Sequence, residues 1–148
     1  MRWLANLPGV LVLCASLSVP TLAGPLPAPT EAAPESAWQG VITGQIEAFR
    51  HGDGATALDL SGTGFKVRYQ DPEAFYEDLV RSGYEPLVRS RFHSFGSFER
   101  MGEVMVMQLV EFVGPDQFFY EALYQLVLEP EGWRVQSVML RQGQGLYI

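Results

Sequence analysis

Tyr120 and Tyr124 lie in an apolar run with Ala122 midway between them. In an extended chain, residues at a period of two share a face. Both phenols therefore point the same way over a small residue and can donate hydrogen bonds into a pocket. Arg89, Arg91 and His93 alternate with Ser90 and Phe92, just after Tyr84. Read as strand, they put two guanidinium groups on one face, a pattern suited to holding a carboxylate through paired N–H donors. His93 falls on the same alternation and is the better placed of the two histidines for proton transfer, because its free pKa is near neutral. The ligand-binding candidates are thus Tyr84, Arg89, Arg91, Tyr120 and Tyr124, and the catalytic candidates are His93 and Tyr124. Each has a structural alternative: aromatics at period two fill a core, and arginines at a sheet edge solubilise it.

Enolising or dehydrating chemistry would also need a carboxylate base and donors for the developing oxyanion. Asp59 and Asp71 occupy turn and cap positions, where carboxylates serve the backbone, and Glu103, Glu111, Glu121 and Glu129 lie on strands of unfixed facing. No carboxylate pair with acid–base spacing emerges. His51 and His93 are far apart and the one cysteine, Cys14, lies near the N-terminus, so no metal-ligand spacing appears. Phosphate-loop, dinucleotide and nucleophile-elbow motifs are missing as well, so neither metal nor cofactor is expected.

The 148 residues suffice for one domain. Ten Lys+Arg against 17 Asp+Glu give a net charge of −7, which argues against a nucleic-acid partner and against an anionic membrane surface. With 47% hydrophobic and 18% charged residues, a packed core is expected. Residues 1–23 read as a cleaved secretory signal: Arg2, an apolar stretch from Leu4 to Leu22, and small residues Thr21 and Ala23 before Gly24. Pro8 and Pro20 make this stretch a poor membrane helix, and Leu13 before Cys14 does not fit a lipobox. The expectation is export to the periplasm or the medium, with no membrane attachment after cleavage. Residues 24–35, with Pro25, Pro27, Pro29 and Pro34, read as a linker, and residues 36–148 as the domain.

Within the domain, Ser36 and Gln39 fit a capping box, and Trp38, Val41, Ile42, Ile46 and Phe49 form an apolar helical stripe ending at Gly52. Asp53 caps a short helix from Gly54 to Leu60, and Ser61-Gly62-Thr63-Gly64 reads as a turn. Asp71-Pro72-Glu73 starts a third helix that Gly83 terminates, with Phe75, Tyr76, Leu79 and Val80 facing inward. Four strands follow: Val88 to Phe98, Glu103 to Val113, Phe118 to Leu128 and Trp133 to Leu140. Short turns between them predict an antiparallel meander, hence an α+β domain. Long twisted strands coil, and the first helix is the natural filler of the concave face. Val104-Met105-Val106-Met107 and Phe118-Phe119-Tyr120 do not alternate, which predicts that the outer face is also covered, most simply by a second copy.

The residues Ile46-Glu47-Ala48-Phe49-Arg50, Gly52-Asp53, Asp71-Pro72 with Phe75, and Gly83-Tyr84 with Pro86 and Arg89 form an ordered series. Gly114-Pro115-Asp116, Ala122-Leu123-Tyr124 and Gly132-Trp133-Arg134-Val135 continue it. From about Val41 to Leu140 the chain resembles an exported bacterial family catalogued as domain of unknown function 4864. That family falls within the nuclear transport factor two-like (cystatin-like, SnoaL-like) superfamily. The resemblance implies a cystatin-like cone, with N-terminal helices on a curved four-stranded antiparallel sheet, and a homodimer through the sheet face. It implies no activity, because the superfamily mixes enzymes, carriers and non-catalytic subunits. Three readings follow: a non-catalytic small-ligand-binding or accessory module of the cell envelope, taking a small apolar or carboxylate ligand; a cofactor-free isomerase or dehydratase; and a protein-interaction module using the sheet.

Overall fold

The computed structural model describes residues 36–144. The signal-peptide and linker expectations fall on residues 1–35 and lie outside the described residues. The domain is α+β, with five helices, α1 (Ala37–Arg50), α2 (Gly54–Asp59), α3 (Thr63–Arg68), α4 (Pro72–Leu79) and α5 (Glu85–Val88). They pack on one sheet of four strands, β1 (Phe92–Arg100), β2 (Met105–Val113), β3 (Phe119–Glu129) and β4 (Gly132–Gln142). The strands pair antiparallel in the order β1-β2-β3-β4, the expected meander.

Helix α1 fills the concave face. Its Trp38, Ile42 and Ile46 pack against Val106, Val110, Ala122, Tyr124 and Leu126 in the main core. The expected capping box does not form: Ser36 is extended but its hydroxyl makes no cap bond. Gln39 turns inward instead, and its amide donates to Gln108 Oε1 at 3.2 Å. Trp38 Nε1 donates to the same oxygen at 3.1 Å. The Gln108 amide nitrogen in turn donates to the carbonyls of Gly96 at 3.0 Å and Leu109 at 2.9 Å. Gly96 and Ser97 sit in a β-bulge between Phe95 and Phe98, opposite the step from Val110 to Gln108. One fully buried amide thus joins α1 to the bulge of the edge strand.

Two expectations about the helical layer need correction. Ser61-Gly62-Thr63-Gly64 is not simply a turn, because α3 begins at Thr63. Its missing local cap comes from Glu129, at the far end of β3, whose carboxylate accepts from the Thr63 backbone N–H at 3.0 Å and from its hydroxyl at 3.2 Å. The residue before that helix docks on the sheet, with Gly62 N–H donating to Val135 O at 2.8 Å and Val135 N–H donating to Leu60 O at 3.0 Å. Second, the chain does not become strand at Val88. Gly83, at φ +93°, ends the run of α4, but a helical turn resumes at Glu85 with Pro86 near its start. Leu87 and Val88 are buried from that turn, and β1 starts only at Phe92.

Inward and outward residues alternate along β2, where Val106, Gln108, Val110 and Phe112 are buried. The outer face carries Met107, Leu109, Leu123 and Met139 around an open hollow of about 770 Å³. A second bulge, on β4 opposite the step from Gln125 to Leu126, brings both Val135 and Val138 to the inner face.

Replacing Gln108 by Leu keeps the volume but strands the Trp38 and Gln39 donors in a buried site. The expected cost is roughly 2–4 kcal/mol, at about 1–3 kcal/mol per buried unsatisfied group, read as a lower urea midpoint. The Glu129 carboxylate is held below its ordinary pKa, chiefly by the Thr63 backbone N–H. Only its charged form caps α3, so its contribution is present above the unfolded-state value and is lost as pH falls through the depressed folded-state value. Glu129→Gln should therefore flatten part of the acid limb of thermal stability below about pH 4, and an unchanged acid limb would refute this cap.

Candidate functional site

The sequence candidates do not converge on one place. Arg89, at the end of α5, forms an exposed i,i+4 ion pair with Glu85 at 2.8 Å. Arg91 is exposed in the link before β1. The shared strand face expected for Arg89, Arg91 and His93 therefore does not exist, because two of the three precede the strand. His93 does face inward on β1, opposite Phe112. Its Nδ1 lies 3.3 Å from Arg50 Nη2, and its Nε2 lies 3.1 Å from Thr43 Oγ1. A guanidinium only donates, so Nδ1 accepts and Nε2 carries the proton toward Thr43. Arg50 also donates from Nε to Ser90 O at 2.6 Å, which joins the end of α1 to the link before β1.

Tyr120 and Tyr124 share the inner face with Ala122, as their spacing predicts, but their surroundings differ. Tyr120 stacks on Phe112 at 5.6 Å and donates to Asp116 Oδ2 at 2.6 Å, at the sheet rim. That acceptor raises the Tyr120 phenol above its ordinary pKa. Tyr124 is fully buried and has no hydrogen-bond partner among the described residues. Burial raises its phenol far above the usual range, with Arg50 opposing the shift. A phenol in that state keeps its proton and is no base.

Tyr120 borders a hollow at the sheet rim, and Tyr84 lines a cavity beneath the helices. This cavity, about 190 Å³, lies between the helices and the inner face of the sheet. Tyr84 forms part of its wall and donates to Val138 O at 2.8 Å. The other polar lining comes from Gln45, Ser61, Arg68, Tyr69, Asp78 and Ser82, and the apolar lining includes Phe49, Phe65 and Phe75. The outer hollow is larger but open and without convergent donors, so the inner cavity is the better candidate site.

Gln45 gives the cavity its chemistry. It is only 2% exposed, on the apolar stripe of α1. Its amide nitrogen donates to Ala57 O at 3.2 Å and Ser61 Oγ at 2.9 Å, and Ser61 Oγ donates on to Ala57 O at 2.9 Å. These bonds fix which way the amide faces. Its Oε1 is buried and has no partner among the described residues. At the exposed end, the Arg68 guanidinium lies over the Tyr69 ring at 5.2 Å. The Tyr69 hydroxyl donates to Asp78, which raises the Tyr69 pKa.

The sequence profile of the family described as Domain of unknown function (DUF4864) matches residues 31–148. The chain belongs to this family. A crystal structure from Nostoc punctiforme PCC 73102, described as a domain of unknown function with a cystatin-like fold, is similar over 79% of this chain and 82% of its own. The two are 19% identical and superpose with a TM-score of 0.54, a likeness of fold alone. No curated protein matches the chain. The DUF4864 domain thus carries a cystatin-like fold whose cavity residues Gln45, Ser61, Arg68, Tyr69 and Asp78 sequence reasoning passed over. Gln45 had a signal: it is a polar residue on the helical stripe of Trp38, Ile42 and Phe49. Arg68, Tyr69 and Asp78 had none, because they meet only through the packing of α3 on α4.

Removing the Tyr124 hydroxyl should remove a buried group without a partner. Tyr124→Phe is expected to leave the fold intact and to raise stability by up to about 1 kcal/mol, measured by thermal and urea unfolding. A loss of stability of that size would show that the hydroxyl is satisfied inside the core.

Proposed function

We propose that this DUF4864 protein is an exported, non-catalytic ligand-binding module of the cell envelope that holds a small molecule in the 190 Å³ inner cavity. The observation that carries the reading is the inner cavity itself, whose wall combines the rings of Phe49, Phe65 and Phe75 with polar side chains such as Ser61, Tyr69, Asp78 and Tyr84. A dry apolar cavity of about 150 Å³ takes benzene, so this one has room for a single ring with substituents. The leader composition of residues 1–23 supports passage through the secretory route, to the periplasm or the medium.

The catalytic alternative rests on a different pair from the one the sequence suggested. Asp78 lines the cavity and Tyr69 donates to it, so an isomerase or dehydratase would use that carboxylate rather than His93 or Tyr124.

The homodimer reading belongs to the opposite face. Met107, Leu109, Leu123 and Met139 surround the outer hollow, with Met139 59% exposed, and the Glu121–Arg141 ion pair stands at its side. A second copy would cover this apolar face with like residues about a two-fold axis.

The test is the intact mass of the full chain, expressed with its N-terminal segment and recorded under native conditions. The expected spectrum is a dimer lacking residues 1–23 and retaining a small mass that is lost on denaturation. An unprocessed chain would overturn the export reading, and a monomer the dimer. A bare protein that also fails to take up added benzene would overturn the cavity reading.

A further inference from the structure

The outer face of the sheet carries charges in a pattern that its own copy complements. Leu109 on β2 and Leu123 on β3 are cross-strand partners in the middle of this face. At the next outward position in one direction along the strands, Glu121 pairs with Glu111 on one side and with Arg141 of the edge strand β4 on the other. At the next outward position in the other direction, Met107 pairs with Glu99 of the opposite edge strand, β1. Glu99 and Arg141 therefore stand at opposite corners of the face, with the two leucines midway between them. Both line the outer hollow.

Each corner group has bonding capacity left. Glu99 is exposed and forms no ion pair among the described residues. The Arg141 side chain is 73% exposed and donates from Nε to Glu121, which leaves its Nη donors. It is also the one cation among the described residues that line the hollow. A two-fold axis in the contact plane, crossing the Glu99–Arg141 line at its midpoint, lays each corner over the opposite corner of the other copy. Reciprocity of this kind is what an isologous contact requires. An axis along the strands would instead set the Glu111–Glu121 row against its own copy, and like charges at a contact are costly.

From this arrangement we infer that the outer face binds a second copy with the sheets crossed, Leu109 and Leu123 at the centre, and Glu99 of each copy bonded to Arg141 of the other. The inference rests on the homodimer reading of this face and assigns its register. The apolar floor supplies the burial, and the two corner ion pairs choose among the ways of covering it.

Charge reversal tests it by sedimentation equilibrium and native mass spectrometry, on the protein expressed with its N-terminal segment. Glu99→Arg and Arg141→Glu should each weaken the dimer about tenfold or more, because each alone sets like charges at both corners. Mixed in equal amounts, the two variants should dimerise again, with one copy of each, because opposite charges then meet at both corners. Circular dichroism checks that each variant folds. Should reversal beside Glu121 prevent folding, Glu99→Gln and Arg141→Gln, alone and together, replace it, and their losses of dimer affinity should be less than additive. Reversals without effect on the dimer, a mixture that stays monomeric, or additive losses would overturn the register and leave the homodimer reading standing. A monomeric wild-type protein would overturn both.

Discussion

The buried amide of Gln108 is the contact on which the rest of the domain depends. It accepts from two side chains of α1 and donates to the bulged edge strand, so the helix and the curl of the sheet are set by one group. An apolar residue there would fill the space without specifying which turn of α1 faces which strand pair. Directional bonds make that choice, because a slipped helix would leave buried donors unpaired. Trp38, held by this bond, meets Phe98 and Trp133 edge-on at 5.3 and 5.7 Å and closes that end of the core.

The other end of the domain is held differently and is less densely filled. There α2 to α5 surround Phe75 in a second apolar cluster, and its links to the sheet include the strand-like pairing of Leu60 and Gly62 with Val135, the cap that Glu129 places on α3 and the Tyr84 bond to Val138. The inner cavity lies between these attachments, bounded by α1 on one side and by Val135 and Val138 on the other. A site of this kind needs walls fixed from outside it. Gln45, whose amide spans α1 and the α2–α3 link, is at once part of that fixing and part of the lining.

Two of the hollows of the domain differ in physical character. The inner cavity is small and mixes aromatic rings with polar side chains, several of them held by hydrogen bonds. The outer hollow is wide, lined by flexible methionine and leucine side chains, and flanked by an ion pair. Fixed polar groups select a small molecule, whereas deformable apolar surface suits a broad macromolecular contact. A cystatin-like fold shared with a cyanobacterial domain of unknown function fits either use, so the assignment rests on the residues of this chain.

By itself, the sequence determined the class of the domain and most of its elements. Period-3.6 and period-2 patterning, the Asp53 and Asp71 caps and the short glycine-containing turns are local signals, and each acts over a few residues. They were enough for α1, α2, α4, the meander and the common face of Tyr120 and Tyr124. Only the tertiary structure decided α3, whose cap lies 66 residues away, and the strand facing beyond each bulge, since one extra residue reverses inward and outward. It also separated Arg89 and Arg91 from His93, because a helical turn from Glu85 to Val88, with Pro86 near its start, delays the strand to Phe92. The cavity was legible in one residue, Gln45, a polar side chain on an apolar stripe. Its other polar groups lie on α3, in the link after it and on α4, and no local pattern marks residues that only packing brings together.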